Sequence, residues 1–485
     1  MAKKAAKKST KKGAAPVPGI QAWQDDPMGL PVVKRPVPNL SAAPLKFKIT
    51  GATVPAGVYP PGTSQFRYWT AAEAVRRGGD FWAAQGITKW QSSVGSVLPI
   101  GLDNGVDLNA YYDRSQLAFF HDTAGGKVVY SGESPDVVCH ELGHACLDAH
   151  RPQLWNAHYI EVGSFHEAFG DMSAILSALQ LPGVRAAALA ALTGNKASVL
   201  SRCAEQLGWA IRQIAPTAVD ADCLRNAWNR FAYVDPQTLP NSAPATQLCA
   251  EVHSFSRVFT GAFYEILSKM LGVLSTKPTD ATLVAAARDM GALLMDATAA
   301  APVKPNFFAQ VAARMIDADT ARFKGKYRTA LSSTFVKRKI LSATAVTAAA
   351  SVTKSVRAAL AEINKAGIAK TETVELSLPA SDFGLGSGAL LVDGVVEHST
   401  SLSVAGGHTR AQETKLDDVR AAIHQFVSVL VEHNRLETGK PTKGLGMKAG
   451  QSSDRLHTHQ LIKVKNGLKL ERVRFLCGCR RDLVE

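Results

Sequence analysis

The chain has 485 residues, which is enough for two or three domains with complete apolar cores. Its 46% hydrophobic content is typical of a globular protein and excludes an intrinsically disordered chain. The formal net charge of +14 is concentrated at the two ends, because six lysines precede residue 13 and residues 440–485 carry eleven Lys or Arg against four Asp or Glu. A basic surface on the central part is therefore not indicated.

Residues 1–45 are rich in Lys, Pro and Ala and predict a disordered basic tail followed by an extended lead-in. The lysines suit weak contact with nucleic acid or an anionic surface; the alternative is a tail that only keeps the protein in solution. No apolar segment follows them as in a signal peptide, and no apolar run reaches the roughly 18 residues that a membrane span requires. Seven scattered cysteines are typical of a reducing compartment, so we expect a cytoplasmic protein, with leaderless export as the alternative.

Residues 46–158 predict a β-rich segment that also contains a helix from Thr70 to about Gln85 and a second helix that begins near Ser134. Residues 115–120 and 127–130 flank a turn-rich loop, a pattern that predicts a β-hairpin. Such a strand beside the next helix would give an extended peptide an edge to pair with.

The most informative stretch begins at Ser134 and Pro135, which suit the N-cap and first turn of a helix. His140, Glu141 and His144 follow as an H-E-x-x-H group, and on a helix the two histidines project from the same face. Two histidines at this spacing are one half of a zinc site.

Glu167 is the candidate third ligand, because catalytic zinc usually has three protein ligands and an open position for water. It lies early in a second segment with helical periodicity. Asp171, one turn later on the same face, is the candidate carboxylate that accepts the spare N–H of a ligand histidine.

Residues 159–345 predict an almost entirely helical segment. Residues 346–485 then predict an appended small α+β module without a recognisable motif, whose expected elements are a basic helix after residue 346, a strand at 372–378, a helix at 415–435, and a pairing of 461–465 with 473–476 through Asn466-Gly467.

Several separate blocks across roughly 105–340 resemble, in order, the thermolysin-like zinc metallopeptidases, the gluzincins whose third ligand is a glutamate on a second helix. The blocks are Leu108–Tyr112 with Ser115-Gln116, Asp136–His144, Gly163–Asp171, Leu224-Arg225 with Tyr233–Pro236, and Glu251–His253 with Ser256, Ala262 and Tyr264. The resemblance implies an α+β fold of two lobes, β-rich and helical, with the zinc helix in the cleft between them and the C-terminal module appended.

The resemblance also implies roles for further residues. The Asn109-Ala110 segment would hold the main chain of a peptide substrate, and Arg225 would bind the carbonyl one residue beyond the scissile bond. His253, together with Tyr159, would stabilise the oxyanion. Val137 and Leu224 would line the pocket for the residue after the cut, where an apolar side chain is expected.

The chain departs from the family pattern at four places. His166 stands where asparagine is usual, and Ala178 stands where a calcium-binding glutamate is usual, so we expect the family's double calcium site to be absent despite Asp136. Leu248 replaces the aspartate that orients the oxyanion histidine, a role that Glu251 is placed to take over. Tyr159 matches the family tyrosine only with a one-residue slip.

The function expected from these residues is zinc-dependent endopeptidase activity on peptides or proteins, with one catalytic zinc ion and with Glu141 as the general base. The alternative is a catalytically weak or inactive scaffold that binds protein or nucleic acid through the basic tail or the C-terminal module. A metzincin site, with His150 as a third histidine ligand, is disfavoured because that pattern requires glycine where this chain has Leu147.

Overall fold

The computed structural model describes residues 19–346, 371–397, 416–438 and 457–477. The lysine tail at 1–18 and the basic helix predicted after residue 346 lie outside these ranges. Within them the protein is mixed α+β, as the sequence predicts. The helices are α1 (Ser64–Ala84), α2 (Pro135–His150), α3 (Ile160–Ala178), α4 (Pro182–Thr193), α5 (Glu205–Arg212), α6 (Val252–Leu274), α7 (Asp280–Ala300), α8 (Phe307–Phe323), α9 (Arg328–Lys337) and α10 (Leu416–Glu432).

The strands are short in the first half of the chain and longer near its end. They are β1 (Gly19–Ala22), β2 (Val33–Pro36), β3 (Phe47–Ile49), β4 (Leu98–Gly101), β5 (Ala110–Tyr112), β6 (Leu117–Phe119), β7 (His121–Ala124), β8 (Lys127–Tyr130), β9 (Arg202–Cys203), β10 (Arg225–Asn226), β11 (Thr371–Pro379), β12 (Ala389–Glu397), β13 (Leu436–Glu437), β14 (His459–Val464), β15 (Gly467–Arg472) and β16 (Phe475–Leu476).

Helix α1 begins at Ser64, earlier than the predicted Thr70. The side chain of Thr63 accepts a hydrogen bond from the backbone N–H of Phe66 and so caps the helix. Hydrophobic periodicity alone does not locate this start, because a cap is a polar signal that lies outside the periodic apolar positions.

The predicted hairpin forms between different strands. Strand β7 pairs with β8 around Gly125 and Gly126, both of which have positive φ, while β6 pairs with β4 and β5 instead. The prediction that residues 115–120 form the first strand of this hairpin is therefore wrong. The tight glycine turn lets pairing begin directly at Ala124 and Lys127, so residues expected in a loop form the strand.

A five-stranded sheet has the strand order β16-β5-β6-β4-β3. Strand β5, rather than residues 115–120, is the one next to the edge. The strand that covers it is β16, which comes from the C-terminal module and runs antiparallel to β5.

The expected helical segment holds α3 to α9, but residues 213–251 form mainly loops with the short strand β10. The prediction of nearly continuous helix is wrong there. Four prolines, at positions 216, 236, 240 and 244, interrupt this stretch, and each removes a backbone donor that a helix interior needs.

The C-terminal module has a second sheet of strand order β11-β12-β15-β14-β13, and α10 confirms the helix predicted there. Strand β14 pairs with β15 through a tight turn in which Val464 faces Gly467. The predicted partner at 473–476 is wrong because the return strand starts at Gly467 itself, which leaves β16 free to join the other sheet.

Hydrogen bonds at the loop between α2 and α3 are among those that join this module to the rest of the protein. His158 Nδ1 lies 2.9 Å from the carbonyl oxygen of Asp393, and the Tyr159 hydroxyl donates to the carbonyl of Val395 at 3.0 Å. Arg472 Nε donates to the carbonyl of Trp155 at 2.9 Å. The loop between α2 and α3 is thus a docking point for the module.

Two sequence-level expectations concern the whole described chain. Cysteines 139, 146, 203, 223, 249 and 477 are all free and buried. No single helix in the described ranges has the length and hydropathy for crossing a membrane, although α3 and α4 together do so as a pair bent by 113°.

Candidate metal centre

Helices α2 and α3 carry the predicted ligands and pack closely against each other. The Ser134 side chain accepts from the N–H of Val137, which caps α2 as predicted. A Cβ atom on Gly170 of α3 would lie only 2.5 Å from the ring of His140, and one on Gly143 of α2 would lie 2.7 Å from Ser173 Cβ. Glycine at these two positions therefore permits the close approach that brings the ligands together.

The three predicted ligands converge on one point. His140 Nε2 lies 3.1 Å from His144 Nε2 and 3.3 Å from Glu167 Oε2, and His144 Nε2 lies 3.6 Å from Glu167 Oε1. Ligand atoms about 2.0–2.1 Å from a tetrahedral ion are about 3.4 Å apart. The distances therefore fit a metal ion held by two imidazoles and one carboxylate.

Glu141 also has a ligand atom within 4.8 Å of both histidines, so the buried group His140, Glu141 and His144 fits a metal ion on proximity alone. Glu167 is the better third ligand, because its two oxygens lie 3.3 Å and 3.6 Å from the two Nε2 atoms. This choice leaves the Glu141 carboxylate free for another role.

The second nitrogen of His140 faces Asp171, as the sequence predicts. Nδ1 lies 3.0 Å from Asp171 Oδ1, and Arg225 donates to both oxygens of Asp171, at 2.7 Å and 3.0 Å. Burial opposes ionisation of Asp171, but Arg225 and His140 outweigh it and hold the pKa of that carboxyl well below its usual range. An ionised Asp171 that accepts the Nδ1 proton leaves the Nε2 lone pair of His140 available to a metal.

Cys203 forms a second close group with His140 and Asp171. Its thiol donates to Asp171 Oδ1 at 3.5 Å, and the same carboxylate already binds His140 and Arg225. We assign this group to the hydrogen-bonded support of His140 rather than to another metal ion.

The second nitrogen of His144 faces His166, a partner that the sequence analysis did not assign. The two Nδ1 atoms are 3.3 Å apart. Burial holds the pKa of His166 well below its usual range, so His166 is neutral and offers a lone pair to the N–H of His144. The sequence does carry a signal for this partner: His166 directly precedes Glu167 and stands where thermolysin-like peptidases usually have asparagine.

The protonation states of the three predicted ligands favour metal binding once His140 loses one proton. Burial alone would lower the pKa of His140, but hydrogen bonds to Asp171 and Glu167 raise it to about 9. Burial lowers the pKa of His144 to about 3. Burial opposes ionisation of Glu167, yet the neighbouring imidazoles of His253, His144 and His140 lower its pKa to about 2. A metal ion therefore displaces the proton of His140 and meets an already ionised Glu167.

Glu141 is fully buried, and neither of its carboxylate oxygens has a hydrogen-bond partner in the described parts of the chain. Burial raises its pKa to about 8, although His140 opposes the shift. A buried carboxyl group without partners costs stability. Its position beside the converging ligands suits a group that accepts and returns a proton near neutral pH.

His253 lies next to the ligands, and its Nε2 atom is 3.3 Å from Glu167 Oε2. Glu251 takes the place of the missing aspartate, because its Oε1 lies 2.6 Å from His253 Nδ1. Burial alone would lower the pKa of His253, but Glu167 and Glu251 raise it. The imidazolium form is therefore favoured, and Leu248 has no part in this contact.

The other predicted substrate-binding residues lie in different places. Asn109 and Ala110 are buried at the start of β5, and Asn109 Oδ1 accepts from the N–H of Ala110 at 2.9 Å. A pocket of about 300 Å³ is lined in part by Leu224, Arg225 and His253. Val137 is fully buried in α2, three residues before His140.

Two residues considered for the site have partners elsewhere. The Tyr159 hydroxyl binds the carbonyl of Val395 in the C-terminal module. His150 Nε2 lies 3.0 Å from the carbonyl oxygen of Met295, so its described contact is with α7 rather than with His140 and His144. This arrangement does not support the metzincin interpretation.

A buried acidic cluster lies at the start of α2. Asp136 accepts from the N–H of Ala204 at 3.2 Å, while Asp26 accepts from Ser134 Oγ at 2.8 Å and from the N–H of Gln206 at 2.7 Å. Burial together with the neighbouring carboxylates raises the pKa of Asp136 to about 7. Protons are therefore retained within this cluster near neutral pH.

The comparisons with known proteins leave the family open. Neither a scan of protein-family models nor a search among curated proteins finds a match for this chain. The likeness to thermolysin-like peptidases thus depends on the short motifs and on the geometry described above.

Proposed function

We propose that this chain is a zinc-dependent endopeptidase of the thermolysin-like kind, with the metal helix α2 in a cleft between two lobes. The observation that carries the proposal is the unpartnered, buried Glu141 carboxylate beside the converging His140, His144 and Glu167. Two histidines and one carboxylate in tetrahedral positions are a ligand set typical of catalytic zinc.

A bound zinc ion would supply a water molecule whose pKa is lowered towards 7 and would polarise the peptide carbonyl. Glu141 takes the proton of the attacking water and returns it to the leaving amine, a role that its raised pKa supports. His253, whose Nδ1 is held by Glu251, donates a hydrogen bond from Nε2 to the developing oxyanion. Asp171 and His166 orient the two ligand imidazoles.

Strand β5 supports a peptide or protein as the substrate. Its outer carbonyl and N–H groups, which pair with β16 in this structure, suit an extended peptide that takes the place of that strand. Arg225, held by two hydrogen bonds to Asp171, presents its remaining amino group to a substrate carbonyl. The buried Leu224 and Val137 favour an apolar or small side chain after the cut.

The test uses full-length protein and a mixed peptide library. We expect cleavage after one equivalent of zinc is added and loss of cleavage with a chelator. Glu141→Gln should bind zinc as the parent does but lower kcat by about 10²–10⁴, because only proton transfer is removed. An active Glu141→Gln variant, or a zinc-loaded parent that cuts nothing, would refute the proposal.

The second candidate is a metallopeptidase scaffold used for binding. One observation favours it, since the edge of β5 is already paired with β16 of the same chain. A scaffold has no need of a general base. If zinc-loaded parent and Glu141→Gln both failed to cut any peptide, this candidate would be favoured instead.

A further inference from the structure

The last described segment of the chain, Phe475–Cys477, lies in the candidate site as an extended peptide. Strand β16 runs antiparallel to β5, with Phe475 opposite Tyr112 and Leu476 opposite Tyr111. The N–H of Cys477 donates to the carbonyl of Ala110 at 3.0 Å. All three residues of the segment are at most 3% exposed.

Two of the backbone carbonyl groups in this segment contact side chains that the sequence predicts to bind substrate. The carbonyl oxygen of Leu476 lies 2.6 Å from His253 Nε2, the group proposed to stabilise the oxyanion. The next carbonyl, that of Cys477, accepts from Arg225 Nη1 at 3.4 Å. Because the two contacts fall on consecutive residues, the bond between them, Leu476–Cys477, has the position of a scissile bond.

The Leu476 carbonyl lies close to the predicted metal ligands. His253 Nε2 lies 3.3 Å from Glu167 Oε2 as well as 2.6 Å from this carbonyl oxygen. Glu167, His253 and Leu476 line one small cavity, so the predicted third ligand adjoins this peptide bond. Glu141 has a carboxylate oxygen within 4.8 Å of a ring nitrogen of both His140 and His144.

Phe475 anchors the segment on the side before the bond. Its ring stacks on His166 at a centroid distance of 4.0 Å and on His144 at 4.9 Å. The guanidinium of Arg472 lies 4.3 Å from the centroid of the same ring. Stacking of this kind is worth about 0.5–1.5 kcal/mol beyond the buried area, so it restrains the register of the segment.

We propose that the Leu476–Cys477 peptide bond is an intramolecular substrate of this site and that the protein removes its own C-terminal residues 477–485. This inference rests on the proposed peptidase function. Water adds across the bond, so that its oxygen forms the new carboxyl group of Leu476. The amine of Cys477 leaves with the proton that Glu141 carries from the water.

The Cys477 side chain suits the apolar pocket expected for the residue after the scissile bond. Cysteine behaves in packing as a small hydrophobe, and Cys477 is fully buried. Leu224 and Arg225 line the 300 Å³ pocket next to the His253 contact, which gives the released side of the chain a place to lie.

The test starts from full-length protein purified with a chelator, to which zinc is then added. We expect the intact mass to fall by that of Cys477–Glu485, with a new C-terminus at Leu476. The rate should not change on tenfold dilution, because the substrate belongs to the same molecule. Glu141→Gln, loaded with zinc to the same extent, should stay at full length.

Two variants at the residue after the proposed scissile bond provide a matched pair. Cys477→Pro removes the N–H that donates to Ala110 and fixes φ, so the chain should stay intact. Cys477→Ala keeps this N–H and should be cut as the parent is. Equal cutting of Cys477→Pro, or a cut at another bond, would overturn the proposal.

A peptide library assayed in parallel separates this inference from the proposed function. Cleavage of the library by a chain that stays at full length would overturn self-cleavage and leave the peptidase function standing. Failure of both reactions would instead refute the peptidase function itself.

Discussion

At the residue scale, the two ligand histidines depend on different partners. The Nδ1–H of His140 donates a hydrogen bond to a carboxylate, that of Asp171, which Arg225 also binds, whereas His144 faces the neutral imidazole of His166. A carboxylate partner makes a ligand imidazole more basic than an imidazole partner does. We therefore expect the contact of His144 to be the weaker of the two supports, and the easier one to examine by substitution.

His166→Ala removes the acceptor for the N–H of His144. We expect zinc affinity to fall about 10–100-fold, as is usual when a partner of a ligand histidine is lost. His166→Asn is the matched control, because its amide oxygen can accept the same proton and should retain most of the affinity. Competition with a chromophoric chelator measures both, and parent-like affinity in His166→Ala would show that this contact does not orient the ligand.

At the scale of elements, the pairing of α2 and α3 determines whether the ligands meet. Gly170→Ala would place a methyl group 2.5 Å from the His140 ring, so either the ring or the helix has to move. We expect a loss of about 1–3 kcal/mol of stability and weaker zinc binding. Urea unfolding and zinc titration measure the two effects.

Gly272→Ala is the control for that substitution. Gly272 is an exposed residue of α6, and a Cβ there meets no atom within 4 Å. Alanine favours helix over glycine by about 1 kcal/mol, so this variant should be slightly stabilised and bind zinc as the parent does. If both glycine variants bound zinc equally well, close helix packing would not be what positions His140.

The acidic cluster joins the N-terminal lead-in, α2 and α5, and it predicts a pH dependence of stability. The pKa of Asp136 rises from its ordinary value of 3.8 to about 7 on folding, so between these values the folded protein binds more protons than the unfolded chain. Stability is therefore highest below about pH 4 as far as this group is concerned, and it falls as the pH rises to about 7.

Asp136→Asn tests this dependence. The variant should lose less stability than the parent between pH 5 and pH 7.5, because an amide does not titrate. Urea midpoints at the two pH values give the comparison, each pKa unit corresponding to about 1.4 kcal/mol. A variant whose midpoint falls as steeply as that of the parent would exclude Asp136 as the source.

The elements that sequence predicted well are those with local signals. Ser134 and Pro135 indicate the start of α2, and the spacing of His140 and His144 indicates a shared face. The errors lie where the partner of a strand is decided elsewhere in the chain. Residues 115–120 and 473–476 are both predicted to form strands. Each forms one, but it pairs with a different strand from the expected one.

At the scale of the whole molecule, the C-terminal module completes the site that the central part of the chain begins. The β16–β5 pairing joins residues more than 360 positions apart in the sequence. A short motif does not predict a contact between residues so far apart. The sequence therefore predicted the ligand set but assigned no role to the module. Tyr159, which the family resemblance places at the oxyanion, instead contacts Val395, a residue 236 positions away in the sequence.

Tyr159→Phe distinguishes these two roles. The Tyr159 hydroxyl donates to the carbonyl of Val395 in β12, and its removal leaves that buried acceptor unpaired, which should cost about 1–3 kcal/mol. We expect a lower unfolding midpoint and faster hydrogen exchange in β12. The kcat for library peptides should stay close to that of the parent.

His253→Ala provides the comparison, because loss of an oxyanion donor should lower kcat about 10²–10³-fold. A docking role for Tyr159 thus predicts a change in stability with little change in kcat, and an oxyanion role predicts the reverse. If Tyr159→Phe lost as much kcat as His253→Ala with an unchanged unfolding midpoint, the hydroxyl would have to leave Val395 and reach the substrate during the reaction. The module would then have to move away from the loop between α2 and α3 in every catalytic cycle.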